Sequence, residues 1–383
     1  MDVRNRGRLR LMALMAVLAL LVAACGGGTD DDASGTNSAV EEEPSSEDTA
    51  EDAATEEEAT GEESEAAAGG EGPFTIAVSN TLVGNGWREQ MICAVQAEAA
   101  AEGDVDQVVV FNENGAAPEQ IRHVEQAISQ GVDALIINPS STTELNSILE
   151  EAVNQGVVVV AVDQALEVEG VYNVTNDQEA YGQLGMEWLA EELGGQGRVI
   201  VMNGIDGAPA NEARRAGIDA ALEAYPDIEI AQETFTGWDF SVASQQALDL
   251  LGADPDIDGI WTSGTDYTVA NAFETANIEP VPVVGADTNE FQRLLLDGAP
   301  GAAVTNPAII GGVGVDIALQ VLRGEEPETE TLLTPQVWDV ESAQDSLEES
   351  YSEDLDGSAS TTLTVDPYTS FSPEELRACE PVG

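Results

Sequence analysis

The sequence contains no lysine. All 12 of its basic residues are arginine, set against 73 Asp and Glu, and the formal net charge is -61. A chain this acidic repels nucleic acid and anionic lipid, so neither is expected as a partner. Adaptation to a salty exterior accounts for the charge, since carboxylates hold water and salt screens their repulsion. Codon composition accounts for the missing lysine equally well. Histidine is nearly absent too: His123 stands alone, in the middle of a predicted helix, and reads as a surface residue. No metal-ligand cluster, no Walker loop and no Gly-x-Gly-x-x-Gly after the first predicted strand is found. Gly311-Gly312-Val313-Gly314 reads as a helix-packing run rather than a phosphate loop. No cofactor, metal or catalytic residue is expected, and an enzyme is disfavoured. Aromatic residues make up only 5% of the chain, so the placement of each of the 5 tryptophans is informative.

What is present begins with a processing signal. Arg4, Arg6, Arg8 and Arg10 form a positive segment, and residues 11–24 are an apolar run too short to span a bilayer comfortably. The run ends in Val22-Ala23-Ala24-Cys25 followed by Gly26-Gly27-Gly28. This resembles a bacterial lipobox. The resemblance implies that residues 1–25 are a lipoprotein signal peptide, that Cys25 carries lipid after cleavage, and that the protein is extracytoplasmic and touches the cell membrane only through that anchor. Residues 26–72 are almost all Glu, Asp, Ala, Ser, Thr and Gly, with no basic residue. They bury too little to offset chain entropy and are expected to form a disordered acidic tether. In an oxidising exterior, Cys93 and Cys379 either join the C-terminal tail to the first folded lobe as a disulfide or remain two buried thiols.

From Phe74 the pattern becomes regular. Apolar runs at 74–79, 105–111, 134–137 and 157–162 alternate with helical spacing at 85–102, 118–130 and 142–155. A second series has strands at 198–202, 228–235, 259–261, 281–285 and 302–305 between helices at 177–193, 209–224, 241–251, 269–276 and 289–296. Continuous Val, Ile and Ala runs bounded by Gly and separated by helices indicate buried parallel strands with crossover helices. Two such arrays predict an α/β protein of two doubly wound parallel-sheet lobes.

In open parallel sheets, ligands sit beyond the carboxyl ends of the strands. Asn80, Thr81, Asn138, Asp163, Thr265, Asp266, Asp287 and Asn306 all follow predicted strands. Any one of them could be a helix cap or turn residue, but their recurrence in both arrays points to a shared site. A sugar needs donors and acceptors in its ring plane and aromatic surfaces above and below it. Asp163 and Asp287 are candidate acceptors. Arg88 and Arg214 are candidate donors with a fixed fork geometry, and Trp87 and Trp238 are candidate stacking faces. Core packing is the alternative for both tryptophans, and a surface ion pair for Arg214; Arg215 reads as the surface residue of that pair. Trp188, Trp261 and Trp338 lie in apolar patterns and read as core.

The order Ile76-Ala-Val-Ser-Asn80, Gly84-Asn-Gly-Trp-Arg88, Gln130-Gly-Val-Asp-Ala-Leu-Ile-Ile-Asn-Pro139, Val160-Ala-Val-Asp163, Asn176-Asp177, Ala213-Arg-Arg-Ala-Gly217, Val283-Val-Gly-Ala-Asp287 and Thr305-Asn-Pro307 resembles the type I periplasmic (solute-binding) proteins of ABC sugar importers, in their ribose- and galactofuranose-binding group. The resemblance covers residues 74–338. It implies the periplasmic binding protein type I fold, with a three-strand hinge crossing near Asn176, Asn306 and Thr334. The implied N-terminal lobe is 73–176 plus 307–334, the C-terminal lobe 177–306 plus 335–345, and 346–383 is a tail. Implied ligand contacts are Trp87, Arg88, Asn138, Asp163, Arg214, Trp238, Asp287 and Asn306. A small sugar or polyol is the implied ligand and an ABC transporter permease the implied partner, served by a monomer that closes about its hinge. Ribose binders carry paired Phe where this chain has Trp87-Arg88, which looks closer to the galactofuranose branch. They also carry Asp-Arg at Asp163-Gln164 and Asn-Asp at Thr265-Asp266. A sensor presenting a sugar or autoinducer to a receptor, and a nucleoside binder, use the same fold and remain alternatives. The tail from Glu341 onward exceeds the family pattern; attachment through Cys379 is the expectation for it.

Overall fold

A computed structural model describes residues 72–379. The signal segment, Cys25 and all but the last residue of the acidic tether lie outside the described residues. The first series of elements is β1 (Phe74–Asn80), α1 (Gly86–Glu102), β2 (Val105–Asn112), α2 (Ala117–Gln130), β3 (Ala134–Ile137), α3 (Asn146–Asn154), β4 (Val158–Val162) and β5 (Val171–Asn176). The second is α4 (Gln178–Glu192), β6 (Gln196–Asn203), α5 (Pro209–Ala224), β7 (Asp227–Phe235), α6 (Phe240–Ala253), β8 (Gly259–Thr262), α7 (Asp266–Ala276), β9 (Val283–Ala286), α8 (Asn289–Leu296) and β10 (Gly301–Val304). The chain ends with α9 (Ile310–Leu322), β11 (Glu330–Leu333), β12 (Val337–Trp338), α10 (Gln344–Ser350) and α11 (Pro373–Arg377).

These elements build two sheets, ordered β11-β5-β4-β3-β1-β2 and β12-β10-β9-β8-β6-β7. All pairings are parallel except β12 on β10. The central strands are buried along their whole length, as their unbroken apolar runs require: β3, β8 and β9 have no exposed position. Each sheet carries a core on both faces. In the first lobe α1 and α9 cover one face and α2 and α3 the other. In the second, α6, α7 and α8 lie over one face and α4 and α5 over the other. Gly311 and Gly312 let α9 lie against the backbone of α1, which is the packing role expected of that glycine run. Trp261 is fully buried, whereas Trp188 and Trp338 pack on the cores only partly buried.

Three expectations need correction. His123 is not on the surface: it is buried, its Nδ1 pairs with Ser79 Oγ at 2.9 Å, its Nε2 faces Glu113 Oε1 at 3.0 Å, and its ring stacks on Phe111. The helix expected from residue 142 starts at Asn146, because the Ser141 hydroxyl accepts the Thr143 and Glu144 N–H groups and holds a turn. Strand β5, which the sequence pattern did not mark, adds the edge on which β11 pairs.

The chain passes between the sheets after Asn176, through Thr305-Asn306-Pro307, and between Leu333 and Val337. The passages are hydrogen-bonded to one another: Asp177 N–H donates to Leu333 O at 2.8 Å, Asn176 Nδ2 to Thr305 O at 3.2 Å, and Thr305 N–H to Gln336 O at 2.9 Å. A further passage follows. Helix α10 buries Leu347 in the second lobe, and residues 352–362 then run back to the first, where Phe371 and Leu376 join its core. Cys93 of α1 and Cys379 form a disulfide with Cα atoms 5.6 Å apart.

Candidate ligand-binding site

The carboxyl ends of the two sheets face one small cavity of about 50 Å³. Trp87, Arg88, Asp163, Arg214, Trp238 and Asn306 line it. So do Asn85, Phe240, Ser263, Thr288 and Ser358, which the sequence reading did not single out. Asn85 could have been found as a helix cap, because its side chain accepts Arg88 N–H and starts α1. Its amide also donates across the cleft to Trp238 O at 3.1 Å.

Two implied contacts lie elsewhere. Asn138 stands behind Asp163, to which it donates at 3.3 Å, while its oxygen accepts from Gln164 Nε2 at 2.7 Å. Asp287 is fully buried and is engaged by Asn306 N–H and by the hydroxyls of Ser360 and Thr362. Helix capping describes Asp177 and Asp239, which are not among the strand-end candidates, since their carboxylates cap α4 and α6. It does not describe Asp163, Asp287 or Asn138, whose side chains bond to other groups.

The site is electrostatically costly to build. Arg88 and Arg214 are 5% and 4% exposed and share one nearby carboxylate, Asp163, itself 5% exposed. Burial brings the Arg88 guanidinium down to about 10; the attraction of Asp163 opposes this and the repulsion of Arg214 adds to it. Burial likewise pushes the Asp163 carboxyl up, against the pull of Arg88 and Arg214 and the hydrogen bonds from Asn138 and Gln178. A buried charge persists only where it is paired and hydrogen-bonded. Arg214 meets that condition through Gln178 Oε1 at 2.7 Å, Ser263 Oγ at 2.9 Å and the face of Tyr181 at 4.0 Å. Arg88 reaches Asn80 Oδ1 at 3.3 Å and lies 5.9 and 6.0 Å from the rings of Trp87 and Trp238.

Backbone strain is concentrated at the same place. Asp163 and Trp238 adopt φ of 68° and 55°, a region costly for residues with a side chain. The turn at Asp163 directs its carboxylate into the cleft from the end of β4, and Gln178 at the start of α4 donates to its Oδ1 at 2.8 Å. The Trp238 ring lies on Gly204, where any Cβ would collide with the indole. Both site indoles have their N–H anchored, Trp87 on Asn306 O at 2.6 Å and Trp238 on Ser263 Oγ at 3.2 Å. This arrangement leaves fixed apolar faces beside charged donors and acceptors. It can bind a small molecule bearing both C–H faces and hydroxyls. Among the described residues no cluster of His, Cys, Asp or Glu could hold a metal ion.

Two α/β lobes on hydrogen-bonded hinge strands, with a polar cavity built from both, define a solute-capturing protein. A family model described as "Periplasmic binding protein domain" matches residues 76–326, and the chain belongs to that family. Its curated relatives are binding proteins, not enzymes. A xylitol-binding protein of Mycolicibacterium smegmatis is 28% identical over 57% of this chain and 64% of its own length, so the match leaves about a third of that relative uncovered. The ribose import binding protein of Bacillus subtilis is 26% identical over 67% of this chain and 85% of its own. Among solved structures, an ABC transporter solute-binding protein from Thermobispora bispora superposes with a TM-score of 0.70 at 24% identity, covering 81% of this chain and 98% of that one; the likeness is one of fold.

Proposed function

We propose that this protein captures a small sugar or polyol between its lobes by hinge closure and delivers it to an ABC transporter permease. The observation that carries the reading is the single cavity formed by Trp87, Arg88 and Asp163 from one lobe and Arg214 and Trp238 from the other. Buried donors, a buried acceptor and two indole faces match a polyhydroxylated carbon skeleton better than a phosphate or an apolar ligand. The relatives named for xylitol and ribose support the same class of ligand. The protein acts as a monomer outside the cytoplasm and is held at the membrane by lipid on Cys25. Among the described residues no helix is long and apolar enough to cross a membrane.

A thermal-shift screen of sugars, polyols and nucleosides tests the reading. A ligand at 100 times its dissociation constant adds about 2.7 kcal/mol of stability. Sugars or polyols are expected to raise the melting temperature; a shift with nucleosides alone contradicts the assignment.

Acidification is expected to weaken binding. Burial holds the Asp163 carboxyl above its ordinary value in the free protein. Ligand hydroxyls donated to it favour the ionised form, so binding expels any proton held there. Affinity should therefore fall as the pH drops through that raised value and level off above it. Calorimetry in buffers of different ionisation enthalpy measures the proton count. Proton uptake on binding contradicts this role for Asp163.

A further inference from the structure

Asp287 directly follows β9, where the family resemblance implies a ligand contact, yet its carboxylate is already occupied from within the chain. Its Oδ1 accepts Asn306 N–H at 2.9 Å, and its Oδ2 accepts the hydroxyls of Ser360 and Thr362 at 2.9 and 3.0 Å. Two hydroxyls on one carboxylate oxygen is the kind of bonding that neighbouring sugar hydroxyls would supply. On either side of Asp287 in the chain, Ala286 and Thr288 line the cavity, as does Ser358 of the returning C-terminal segment. We propose that this segment, residues 352–362, sets ligand size: its own hydroxyls fill the Asp287 end of the cleft. The remaining site then takes an acyclic polyol or a pentose in preference to a hexose. This inference rests on the sugar-or-polyol reading given above.

The segment is fastened to both lobes. Gln90 of α1 grips the Ser360 backbone at both ends, donating to its carbonyl at 3.0 Å and accepting from its N–H at 2.8 Å. Ser358 Oγ lies against Gly86, where no Cβ fits. From the other lobe, Asn289 donates to Ser352 O and Leu355 O at 2.8 and 3.0 Å, and Gln292 donates to the Thr361 hydroxyl. Farther on, Ser370 N–H binds the buried Glu98 carboxylate at 2.8 Å and the disulfide closes the attachment. A ligand cannot displace Ser360 from Asp287 without breaking this set, because Ser360 is 1% exposed and Asp287 is 0% exposed. The opposite edge of the cleft is different. There Asp163 also borders a wide depression between Thr142 and Asn146 of one lobe and Pro209 and Glu212 of the other.

Calorimetric titration with glycerol, xylitol, D-ribose and D-galactose tests the inference on the wild-type protein and on Ser360→Ala/Thr362→Ala. The wild type is expected to favour xylitol or ribose over galactose. The double variant leaves Asp287 without its hydroxyl donors and is expected to shift the xylitol-to-galactose affinity ratio at least tenfold towards galactose. An unchanged ratio, or a wild type that favours galactose, overturns the role of the segment. A wild type that binds none of the four probes overturns the sugar-or-polyol reading itself. If the double variant does not fold, Thr362→Val removes one hydroxyl at a half-buried position with little change of volume. It is expected to shift the ratio in the same direction by a smaller factor, and no shift overturns the inference.

Discussion

Asp163→Asn should lower ligand affinity by about 1–3 kcal/mol, the cost of leaving buried partners unpaired, where each 1.4 kcal/mol is about tenfold. Asparagine keeps the size of the side chain and tolerates the left-handed backbone at this position better than alanine does. The variant removes the charge and also turns one accepting oxygen into a donor that faces Gln178 Nε2 or Asn138 Nδ2. Arg88 and Arg214 lose their shared counter-ion, and the ligand loses an ionised acceptor. Circular dichroism should match the wild type while calorimetric affinity falls. Wild-type affinity would remove Asp163 from the site. Arg214 is a less clean probe, because it also ties Gln178 of α4 to Ser263 and covers Tyr181. Its loss would mix binding with stability.

Cys379→Ser should cost about 3–5 kcal/mol of stability under oxidising conditions. The disulfide spans 286 residues, so it closes a loop containing nearly all of both lobes, and long loops lose the most entropy when they are closed. Cys379 is the better end to change. It is only partly buried, whereas Cys93 is 6% exposed inside the first core. The measurement is a urea unfolding curve of the variant beside oxidised and reduced wild type. The variant and the reduced protein should share a lowered midpoint. Coincidence of all three curves contradicts the bond or its energetic weight.

Much of the fold was legible because burial on both faces of a parallel sheet demands long apolar runs. Residues 134–137 and 158–162 could hardly be anything but internal strands. Strand β5 was obscured by its composition: Tyr172, Asn173, Thr175 and Asn176 interrupt the apolar pattern because Asn173 bonds the Leu166 backbone and Asn176 belongs to the hinge. His123 was misplaced because a lone imidazole gives no periodic signal. Its burial depends on Ser79 and Phe111, residues brought to it from the neighbouring strands β1 and β2.

The site was legible where chemistry was scarce. Few arginines and tryptophans in an acidic chain made Arg88, Arg214, Trp87 and Trp238 conspicuous. Asn138 and Asp287 show the limit of that reasoning. Their positions at strand ends were right, but which partner each side chain takes depends on Gln164 and on residues 360–362, which only tertiary structure places beside them. The returning segment was not legible at all. Residues 352–362 are mostly Ser, Asp, Gly and Thr with little periodicity, and their order comes from hydrogen bonds supplied by Gln90, Asp287 and Asn289 rather than from any pattern of their own.

A crystal structure with the sugar or polyol that raises the melting temperature most is the decisive measurement. The ligand should lie between the lobes against Trp87 and Trp238, with hydroxyls on the carboxylate of Asp163 and the guanidinium of Arg214. A ligand bound outside that cavity, with Asp163 and Arg214 contacting only protein, contradicts capture between the lobes.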